Sequence, residues 1–435
     1  MREEFEEIER VKQATSGSKA PSLWSRLGPG FVTGAADDDP SGIATYSQAG
    51  AALGYGILWT LLLTFPLMVS IQVISARIGR VTGKGLAANI ASHCPRWLLL
   101  GIVLLLFVAN TVNIAADIAA MGAAVKLMIG GPAALYAVLF GLVSLALQIY
   151  VGFEKYARVL KFLTLALFAY VVTAFLVRVD WGNVLWHTLI PHFHLDAKSL
   201  ALIVAVFGTT ISPYLFFWQA AQEVEELNAV LGDKPLKDAP AQAHRHLRRI
   251  KIDTQIGMAF SNLVAFFIMV TAAATLHRHG MTDIQTSAQA AEALRPLAGA
   301  AAFVLFALGI VGTGMLAVPV LAAASAYSAS EAFGWKVGLG ETLIKAPGFY
   351  SVLGVGMALG IGLNFTALDP IKALVGSAII NGIVAVPIMA VLVFLSSRRD
   401  VMGDCVASTR LKMMGWIATG SMAVMVLGMF VTSVI

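Results

Sequence analysis

Residues 35–42 read AADDDPSG and place three consecutive carboxylates, Asp37, Asp38 and Asp39, between two apolar stretches. The chain has 435 residues, of which 58% are hydrophobic and only 13% are charged, and its mean hydropathy is +0.79. A soluble domain carries about 25% charged residues. The composition therefore predicts a helical membrane protein instead of a large soluble domain, and the three carboxylates inside its first apolar segment need an explanation.

Hydrophobic runs near the length of a membrane span recur along the whole chain, and each can cross a hydrocarbon core about 30 Å thick. We therefore expect an all-α polytopic membrane protein with one transmembrane domain, residues 27–435. A polar tail, residues 1–26, precedes it and carries no signal-peptide pattern. The eleven predicted spans are residues 28–52, 54–76, 98–128, 132–151, 158–178, 200–227, 252–275, 298–327, 348–364, 370–396 and 412–434.

The distribution of basic residues predicts the orientation. With the N-terminus in the cytosol, 24 of the 30 Lys and Arg residues fall in cytosolic stretches and 6 fall at outer or span-end positions. This is the positive-inside pattern, and it places the C-terminus outside. The basic residues lie in short loops, so they indicate topology and no nucleic-acid partner. The compact length and the absence of a transit-peptide pattern favour a bacterial inner membrane.

Two of the predicted spans are interrupted by helix-breaking residues. The first contains DPSG at residues 39–42, and the sixth contains GTTISP at residues 208–213. They begin two sets of five spans, residues 27–180 and 199–396, and an odd number of spans inverts the second set relative to the first. Broken helices at matching places in two inverted halves point to a transporter's binding site near the membrane midplane. The last span, residues 412–434, lies outside the repeats.

A carboxylate in the middle of a membrane costs at least about 2.5–3.5 kcal/mol, so it persists where an ion, a partner or water compensates it. Pro40 removes a backbone donor and disfavours helix at Asp39, and Gly42 lets the chain bend. Asp39 therefore stands beside free carbonyl groups, an arrangement that suits a hard cation. Asp37 and Asp38 are adjacent, so we expect at most one of them to reach the ion path; loop aspartates at the membrane surface are the alternative.

The segment GPGFVTGAADDDPSGIATYSQAGAALGYGILW, residues 28–59, resembles the first helix of the Nramp (natural resistance-associated macrophage protein) family of divalent-metal transporters. The family's hallmark, Asp-Pro-Gly-Asn, aligns without gaps to residues 39–42. The resemblance continues through ARIGRVTGKGLA, AADIAAMG, GFEKYARVLKFL, DTQIGMAFSNLVAF and HRHGMTDI, and so covers nearly the whole chain after about residue 25. It implies the LeuT-type inverted-repeat fold, with broken helices 1 and 6, and secondary transport of a divalent metal by alternating access.

The resemblance also implies a set of metal ligands. In the family the metal is held by the hallmark Asp and Asn, by a Met of the sixth helix and by backbone carbonyls. Asp39 matches, but the Asn position is Gly42, the Met position is Ser212, and the carbonyls correspond to Ala36 and Thr209. A thioether favours transition metals, whereas oxygen ligands and retained waters suit Mg²⁺. The pattern is similar to the magnesium-transporting Nramp-related branch, with Mn²⁺ as a natural co-substrate.

The same resemblance implies that this chain lacks most of the ionisable residues that couple transport to protons in the family. Two histidines of the family's sixth helix correspond to Tyr214 and Gln219, and acidic residues of its third helix correspond to Asn110 and Ala120, so that only Asp117 remains ionisable. A proton relay needs groups that titrate near the working pH. We therefore expect weakly coupled or uncoupled uptake, driven by a potential that is worth about 4.6 kcal/mol per 100 mV for a divalent ion.

Two further polar residues are second-tier candidates. Glu223, near the cytosolic end of the sixth span, either lines the exit path or belongs to a solvated helix end. Asn381, in the tenth span, either reaches the ion and its waters or hydrogen-bonds a neighbouring helix. Residues 234–251, between the sixth and seventh spans, are expected to form a cytosolic loop.

Other functions remain as alternatives. A proton-coupled Mn²⁺/Fe²⁺ symporter of the ordinary Nramp type shares the fold, and strong Cd²⁺ uptake would favour it. A sodium-coupled carrier of organic solutes leaves the three aspartates unexplained. A membrane enzyme or an ATP-driven pump is not supported, because no His-Glu-x-x-His, Gly-x-Ser-x-Gly or phosphate-binding motif is present. The expected partners are the transported ion and the lipid bilayer, with no further cofactor and no obligatory protein partner.

Overall fold

The computed structural model describes residues 28–151, 163–192, 196–230, 232–366 and 369–434, and regular structure in these ranges is helical. The helices in chain order are α1 Pro29–Asp37, α2 Pro40–Leu53, α3 Trp59–Thr82, α4 Leu86–His93, α5 Arg96–Ile129, α6 Ala133–Tyr150, α7 Phe168–Leu176, α8 Trp181–Leu189, α9 Ala197–Thr210, α10 Pro213–Ala229, α11 Ala243–Thr275, α12 Ser287–Ala291, α13 Arg295–Ala298, α14 Ala302–Phe333, α15 Pro347–Leu363, α16 Pro370–Ser397, α17 Arg399–Met402 and α18 Thr409–Val434. Short 3₁₀ turns are Gly54–Ile57, Leu163–Leu167, Pro240–Gln242, His277–His279, Glu292–Leu294, Gly299–Ala301 and Gly403–Cys405.

The first helix break separates α1 from α2. Asp38 (φ −81°, ψ 55°) and Asp39 (φ −73°, ψ 169°) are not helical, and Pro40 is the first residue of α2. The backbone N–H at the first position of a helix has no partner within the helix, so proline, which lacks this N–H, is tolerated there. The proline ring also favours an extended backbone at the preceding residue. The Asp-Pro pair therefore ends one helix and begins the next, as the sequence predicts.

The second break repeats this pattern between α9 and α10. Ile211 (φ −115°, ψ 63°) is followed by the extended residue Ser212 (φ −82°, ψ 126°), and Pro213 begins α10. At both breaks a non-helical residue precedes an extended residue and then a proline at the first helical position. Both predicted interruptions are present, and the proposal that they begin two inverted repeats stays a prediction.

Glycines allow close helix packing around the two breaks. In α1, Gly34 lies against the backbone of Gly257 in α11, where a Cβ atom would collide. In α9, Gly208 lies against the Ala378 carbonyl and the Gly382 amide of α16 in the same way. Helix α2 packs on α9, α11 and α16, so both breaks lie inside one helical core. Small residues at such contacts are typical of membrane helix packing.

Among the described residues, eight helical segments are long and apolar enough to cross a membrane. The other three predicted spans have a different form: the first is α1 and α2, the ninth is the 17-residue helix α15, and the fifth, predicted at 158–178, holds only the short segment Leu165–Leu176 among the described residues. This segment meets the following segment Trp181–Leu189 at 116°, and the two together would make a ninth crossing. An all-helical membrane architecture is confirmed, and eleven crossings stay a prediction.

Several boundaries differ from the predicted ones. Helix α11 begins at Ala243 and not at residue 252, so much of the predicted loop at 234–251 is helical. The predicted span at 54–76 is a 3₁₀ turn followed by α3, which continues to Thr82. Polar residues at the helix ends hide these extensions from a hydropathy pattern, because they lower the local hydropathy without ending the helix. The predicted tail, and residues 158–162 of the fifth span, lie outside the described residues.

Candidate metal centre

Asp39 is the first residue that the break positions. Its side chain is 2% exposed, and its Oδ1 accepts a hydrogen bond from the Gly42 amide at 2.6 Å, which caps α2. Its Oδ2 accepts a hydrogen bond from the side-chain amide of Asn113 at 3.1 Å. Hydrogen bonds to a charged acceptor are among the stronger ones in proteins. The carboxylate is therefore held in a defined orientation between α2 and α5.

Asn113 is a site residue that sequence reasoning missed. Its Oδ1 accepts a hydrogen bond from the Ser377 hydroxyl at 2.7 Å, which connects α5 to α16 and fixes the side-chain amide that faces Asp39. Asn113 lies one helical turn before Asp117, on the same face of α5. That spacing is a signal in the sequence which, with the apolar surroundings, singles out Asn113.

The two breaks meet at Gly42. A Cβ atom at this position would lie 3.2 Å from the Thr209 hydroxyl and 3.5 Å from Oδ1 of Asp39. Thr209 is the penultimate residue of α9 and its side chain is buried. The missing side chain of Gly42 therefore leaves the hydroxyl of one broken helix close to the carboxylate of the other. The sequence predicts the Thr209 carbonyl as a ligand, which stays a prediction, and the structure places the Thr209 hydroxyl beside Gly42.

The two predicted carbonyl ligands already accept hydrogen bonds. The Tyr214 hydroxyl donates to the Ala36 carbonyl at 3.0 Å, and the Ser212 hydroxyl donates to the Thr209 carbonyl at 2.8 Å. A carbonyl oxygen has two lone pairs, so one stays available on each. Tyr214 also connects α10 to α1 across the break. Ser212 is buried at the second break, and its hydroxyl points back toward α9, 2.9 Å from the Gly208 carbonyl.

Two further polar groups lie around the Asp39 carboxylate or its supports. Asp117 is buried in α5, close to Asp39 and to the Ser41 amide. Asn381 is buried one turn after Ser377 in α16, and within the described part of the chain its side-chain oxygen has no hydrogen-bond partner. A buried amide oxygen without a hydrogen bond is suited to contact a water or an ion, because a buried acceptor that lacks a partner costs free energy.

Asp37 and Asp38 do not separate as expected. The Ser261 hydroxyl of α11 lies 2.6 Å from Oδ2 of Asp37 and 3.0 Å from Oδ1 of Asp38. The expectation that these adjacent residues face different ways was wrong. Helix α1 ends at Asp37, and the turn at Asp38 directs the Asp38 side chain toward α11, which Asp37 also contacts. Both are buried, so the alternative of surface-loop aspartates is wrong as well.

The remaining second-tier residues lie farther along α10. The Gln219 side-chain amide donates to the Thr254 hydroxyl of α11 at 2.8 Å. Glu223 is fully buried and forms an ion pair with Arg249 at 2.6 Å, so the alternative of a solvated helix end is wrong for this residue. Both side chains therefore contact α11, and neither bond involves a residue of the two helix breaks.

The chemistry of the site is dominated by oxygen atoms. In the described ranges, no group of three or more His, Cys, Asp or Glu side chains is arranged to hold a metal. The Met121 thioether of α5 packs at Gly314, where the Pro40 ring also lies. The Asp39 carboxylate is buried in this conformation, and a cavity of about 710 Å³ lies elsewhere, lined by residues of the Thr275–Pro296 region.

A family model described as natural resistance-associated macrophage protein-like matches residues 30–432, which is most of the chain. The chain belongs to the Nramp family. The resemblance seen in the sequence is therefore confirmed, and this Nramp protein is a membrane transporter and not an enzyme. Membership of the family supports transport of a divalent metal ion.

Solved transporter structures share the fold of this Nramp protein. One is the manganese transporter of Eremococcus coleocola in complex with an aromatic bis-isothiourea substituted compound, with a TM-score of 0.71, 18% identity, and coverage of 95% of this chain and 88% of that chain. The nucleobase-cation-symport-1 family transporter Mhp1, in a closed conformation, has a TM-score of 0.56 at 13% identity, covering 94% and 92%. MhsT in complex with L-phenylalanine has a TM-score of 0.57 at 12% identity, covering 93% and 98%. At these identities the likeness shows the fold alone.

Proposed function

We propose that this protein carries Mg²⁺, and Mn²⁺ as a second substrate, across the membrane by alternating access with little or no proton coupling. The observation that carries the proposal is the buried Asp39 carboxylate at the first helix break, held by Asn113 and facing the Thr209 hydroxyl. A carboxylate, hydroxyls and backbone carbonyls suit a hard cation that retains part of its water shell. The ligands would be Asp39, Thr209, the Ala36 carbonyl and Ser212, with Gly42 leaving room for water.

The preference for a hard ion is supported by what replaces the family's side-chain ligands. Ser212 stands at the position of the family's methionine, and Gly42 stands at the position of its asparagine. A site without the thioether loses the soft ligand that retains Cd²⁺ and late transition metals. Mn²⁺ is proposed as a second substrate because it also accepts oxygen ligands.

The low proton coupling is supported by the neutral groups at the family's histidine positions. Tyr214 donates to the Ala36 carbonyl and Gln219 donates to the Thr254 hydroxyl, so both side chains serve as hydrogen-bond donors between helices. Neither side chain titrates near neutral pH. Asp117 alone does not form a chain of ionisable groups that leads away from the site. We further propose that the protein lies in a bacterial inner membrane with its N-terminus in the cytosol.

Uptake into proteoliposomes tests the proposal. Mg²⁺, Mn²⁺, Ca²⁺ and Cd²⁺ are supplied outside, an imposed potential drives uptake, and an internal dye reports pH. Asp39→Asn removes the charge at nearly constant volume, and Asp283→Asn, an exposed carboxylate, is the matched control. We expect Mg²⁺ and Mn²⁺ flux without acidification, lost in Asp39→Asn and kept in Asp283→Asn. Cd²⁺ flux with acidification and no Mg²⁺ flux would establish the proton-coupled Mn²⁺/Fe²⁺ symporter instead.

The Met121 thioether provides a second test of the same alternative, because it is the soft group beside Pro40. Met121→Leu keeps the volume and removes the sulfur. If the site is hard, Mg²⁺ flux in the variant stays within about twofold of the parent, since Mg²⁺ does not use thioether ligands. A selective loss of Cd²⁺ or Mn²⁺ flux would show that Met121 replaces the sulfur that Ser212 lacks.

A further inference from the structure

We propose that His187 and His192, the histidine pair, bind a divalent transition-metal ion such as Zn²⁺ at a site separate from Asp39. His187 lies near the end of α8, and His192 follows that helix in the chain. The positive-inside pattern predicts this part of the chain to be outside. The donor atoms of the pair are imidazole nitrogens, whereas the Asp39 site offers oxygen atoms, so the two sites should select different metals. The proposal does not depend on which ion Asp39 binds.

The first observation is the contact between the two imidazole rings. Their centroids are 4.4 Å apart, and their planes meet at 32°. A Zn²⁺–N bond is about 2.0–2.1 Å long, so two nitrogens on one ion are at most about 4.2 Å apart. Because the rings are already at a separation of this size, small rotations about the side-chain bonds bring one nitrogen of each ring to the same ion.

The second observation is the hydrogen bond that each ring makes through its other nitrogen. Nδ1 of His187 lies 2.9 Å from the Asn183 carbonyl, and Nδ1 of His192 lies 2.9 Å from the Ile190 carbonyl. A carbonyl oxygen only accepts, so Nδ1 carries the hydrogen in both rings. In a neutral imidazole Nε2 then keeps the lone pair that binds a metal. Metal-binding histidines commonly donate their other ring N–H to a backbone carbonyl, which fixes the orientation of the ring.

The third observation is the access of water and metal to the pair. Helix α8 has an exposed apolar face, which is formed by Trp181, Leu185, Trp186 and Leu189. The Trp181 ring stacks on Phe175 of α7 at 5.2 Å, so this face continues the exposed apolar surface of the preceding helix. Tryptophans are typical of the membrane–water interface. At 3.6 residues per turn His187 lies on the opposite side of α8, away from the bilayer, and His192 is exposed.

The ligand set of the histidine pair determines which metals it selects. In the described ranges no third His, Cys, Asp or Glu side chain completes a metal-binding group with these two. Both rings reach the surface, so water molecules can occupy the remaining positions around the ion. Imidazole nitrogens suit Zn²⁺, Ni²⁺ and Cu²⁺, whereas Mg²⁺ prefers oxygen ligands. The histidine pair should therefore bind transition metals and not Mg²⁺.

Titration calorimetry on the purified protein, with any affinity tag removed, tests this proposal. Zn²⁺ is titrated in the presence of excess Mg²⁺, which competes for the oxygen ligands at Asp39. We expect one bound Zn²⁺ per chain for the parent. His187→Gln and His192→Gln should each weaken this binding at least roughly tenfold, because each removes one of the two nitrogen ligands. His244→Gln is the matched control, since His244 is an exposed histidine of α11, and it should bind Zn²⁺ as the parent does.

A spectroscopic measurement separates coordination from an effect on folding. Cu²⁺ replaces Zn²⁺ in the same protein, and electron paramagnetic resonance detects the nitrogen nuclei bound to the ion. We expect a signal from two imidazole nitrogens in the parent and in His244→Gln, and loss of this two-nitrogen signal in His187→Gln and His192→Gln. Mg²⁺ flux in proteoliposomes should be equal in the parent and in both variants of the pair, which also shows that these variants are folded.

Zn²⁺ binding that is absent from the parent, unchanged in both variants of the pair, or weakened in only one of them would overturn the site. Loss of Mg²⁺ flux in both variants would overturn its separation from Asp39. Flux that persists in Asp39→Asn would instead overturn the proposed function and leave Zn²⁺ binding at the histidine pair intact. The two failures are therefore distinguishable.

Discussion

Asn113 donates a hydrogen bond from its side-chain amide to the Asp39 carboxylate over 3.1 Å, although 74 residues separate the two in sequence. The hydroxyl of Ser377 donates in turn to the amide oxygen of Asn113, so the amide cannot turn around without losing a partner. The proposed ligand is thus oriented by a chain of two side chains from two other helices. Such support fixes the direction of a metal ligand.

Replacing Asn113 with Leu should weaken transport without abolishing it. The variant removes a hydrogen bond to a charged group, which is worth about 1.5–3 kcal/mol, so we expect KM for Mg²⁺ to rise roughly 10- to 100-fold. The measurement is the concentration dependence of Mg²⁺ flux in proteoliposomes. Asn110→Leu is the control, because Asn110 lies on the same helix but donates to Leu321 and Ser325. Equal effects of both variants on KM would contradict the orienting role of Asn113.

Restoring a thioether at Ser212 should change the metal preference. In Ser212→Met we expect the ratio of Cd²⁺ to Mg²⁺ uptake to rise at least roughly tenfold, because sulfur retains soft ions. The control is Ser212→Leu, which adds a similar volume without sulfur and carries the same packing cost of about 1–3 kcal/mol. Competition of Cd²⁺ with Mg²⁺ flux is the measurement. If both variants give the same ratio, position 212 does not face the ion.

Helix α11 contacts both broken helices at the end of the molecule that the positive-inside pattern predicts to be cytosolic. Arg249 of α11 pairs with Glu223 at 2.6 Å and with Glu226 at 2.5 Å, both in α10. The Asp253 carboxylate, one turn later, accepts hydrogen bonds from the Gly28 and Gly30 amides at the start of α1. Helix α11 therefore holds α1 and α10 together at this end.

Removing this arginine should loosen α1. In Arg249→Gln we expect a cysteine placed at the buried position Thr33 to react roughly tenfold faster with a polar thiol reagent, because a buried carboxylate at Glu223 is left unpaired. The background replaces Cys94 and Cys405. The matched control is Arg248→Gln, since Arg248 is exposed and carries the same charge. Equal labelling rates in the two variants would exclude a closing role for Arg249.

Close packing of α9 on α16 should make Gly208 intolerant of a side chain. A Cβ atom there meets the Ala378 carbonyl and the Gly382 amide, so Gly208→Ala should lower stability by about 1–3 kcal/mol. Gly376, also in α16, has no atom within 4 Å of its Cβ position, and Gly376→Ala should be neutral or stabilising by up to about 1 kcal/mol. Thermal unfolding in detergent compares the two variants. The reverse order would show that α9 and α16 separate freely.

Local chemistry made much of this protein predictable. The apolar runs indicate membrane helices, and the pairs Asp39–Pro40 and Ser212–Pro213 predict both breaks, because a proline acts on its own residue and the one before it. Asp39 follows as a candidate ligand from the same local argument. Helix boundaries were predicted less well. Helix α11 begins at Ala243, and its first turns were missed because they are rich in charged residues and so lack the apolar pattern used to find spans.

The amino-acid sequence by itself determined the apolar helices, the two breaks and the carboxylate at the first of them, since these depend on neighbours within a few residues. Only the tertiary structure decided what those carboxylates contact. Ser261 lies 224 residues from Asp37 and 223 from Asp38, and helix packing brings its one hydroxyl to both. The two adjacent side chains contact the same hydroxyl because the backbone turns at Asp38 and because α11 packs there with Ser261. Neither condition can be predicted from the neighbouring residues in the sequence.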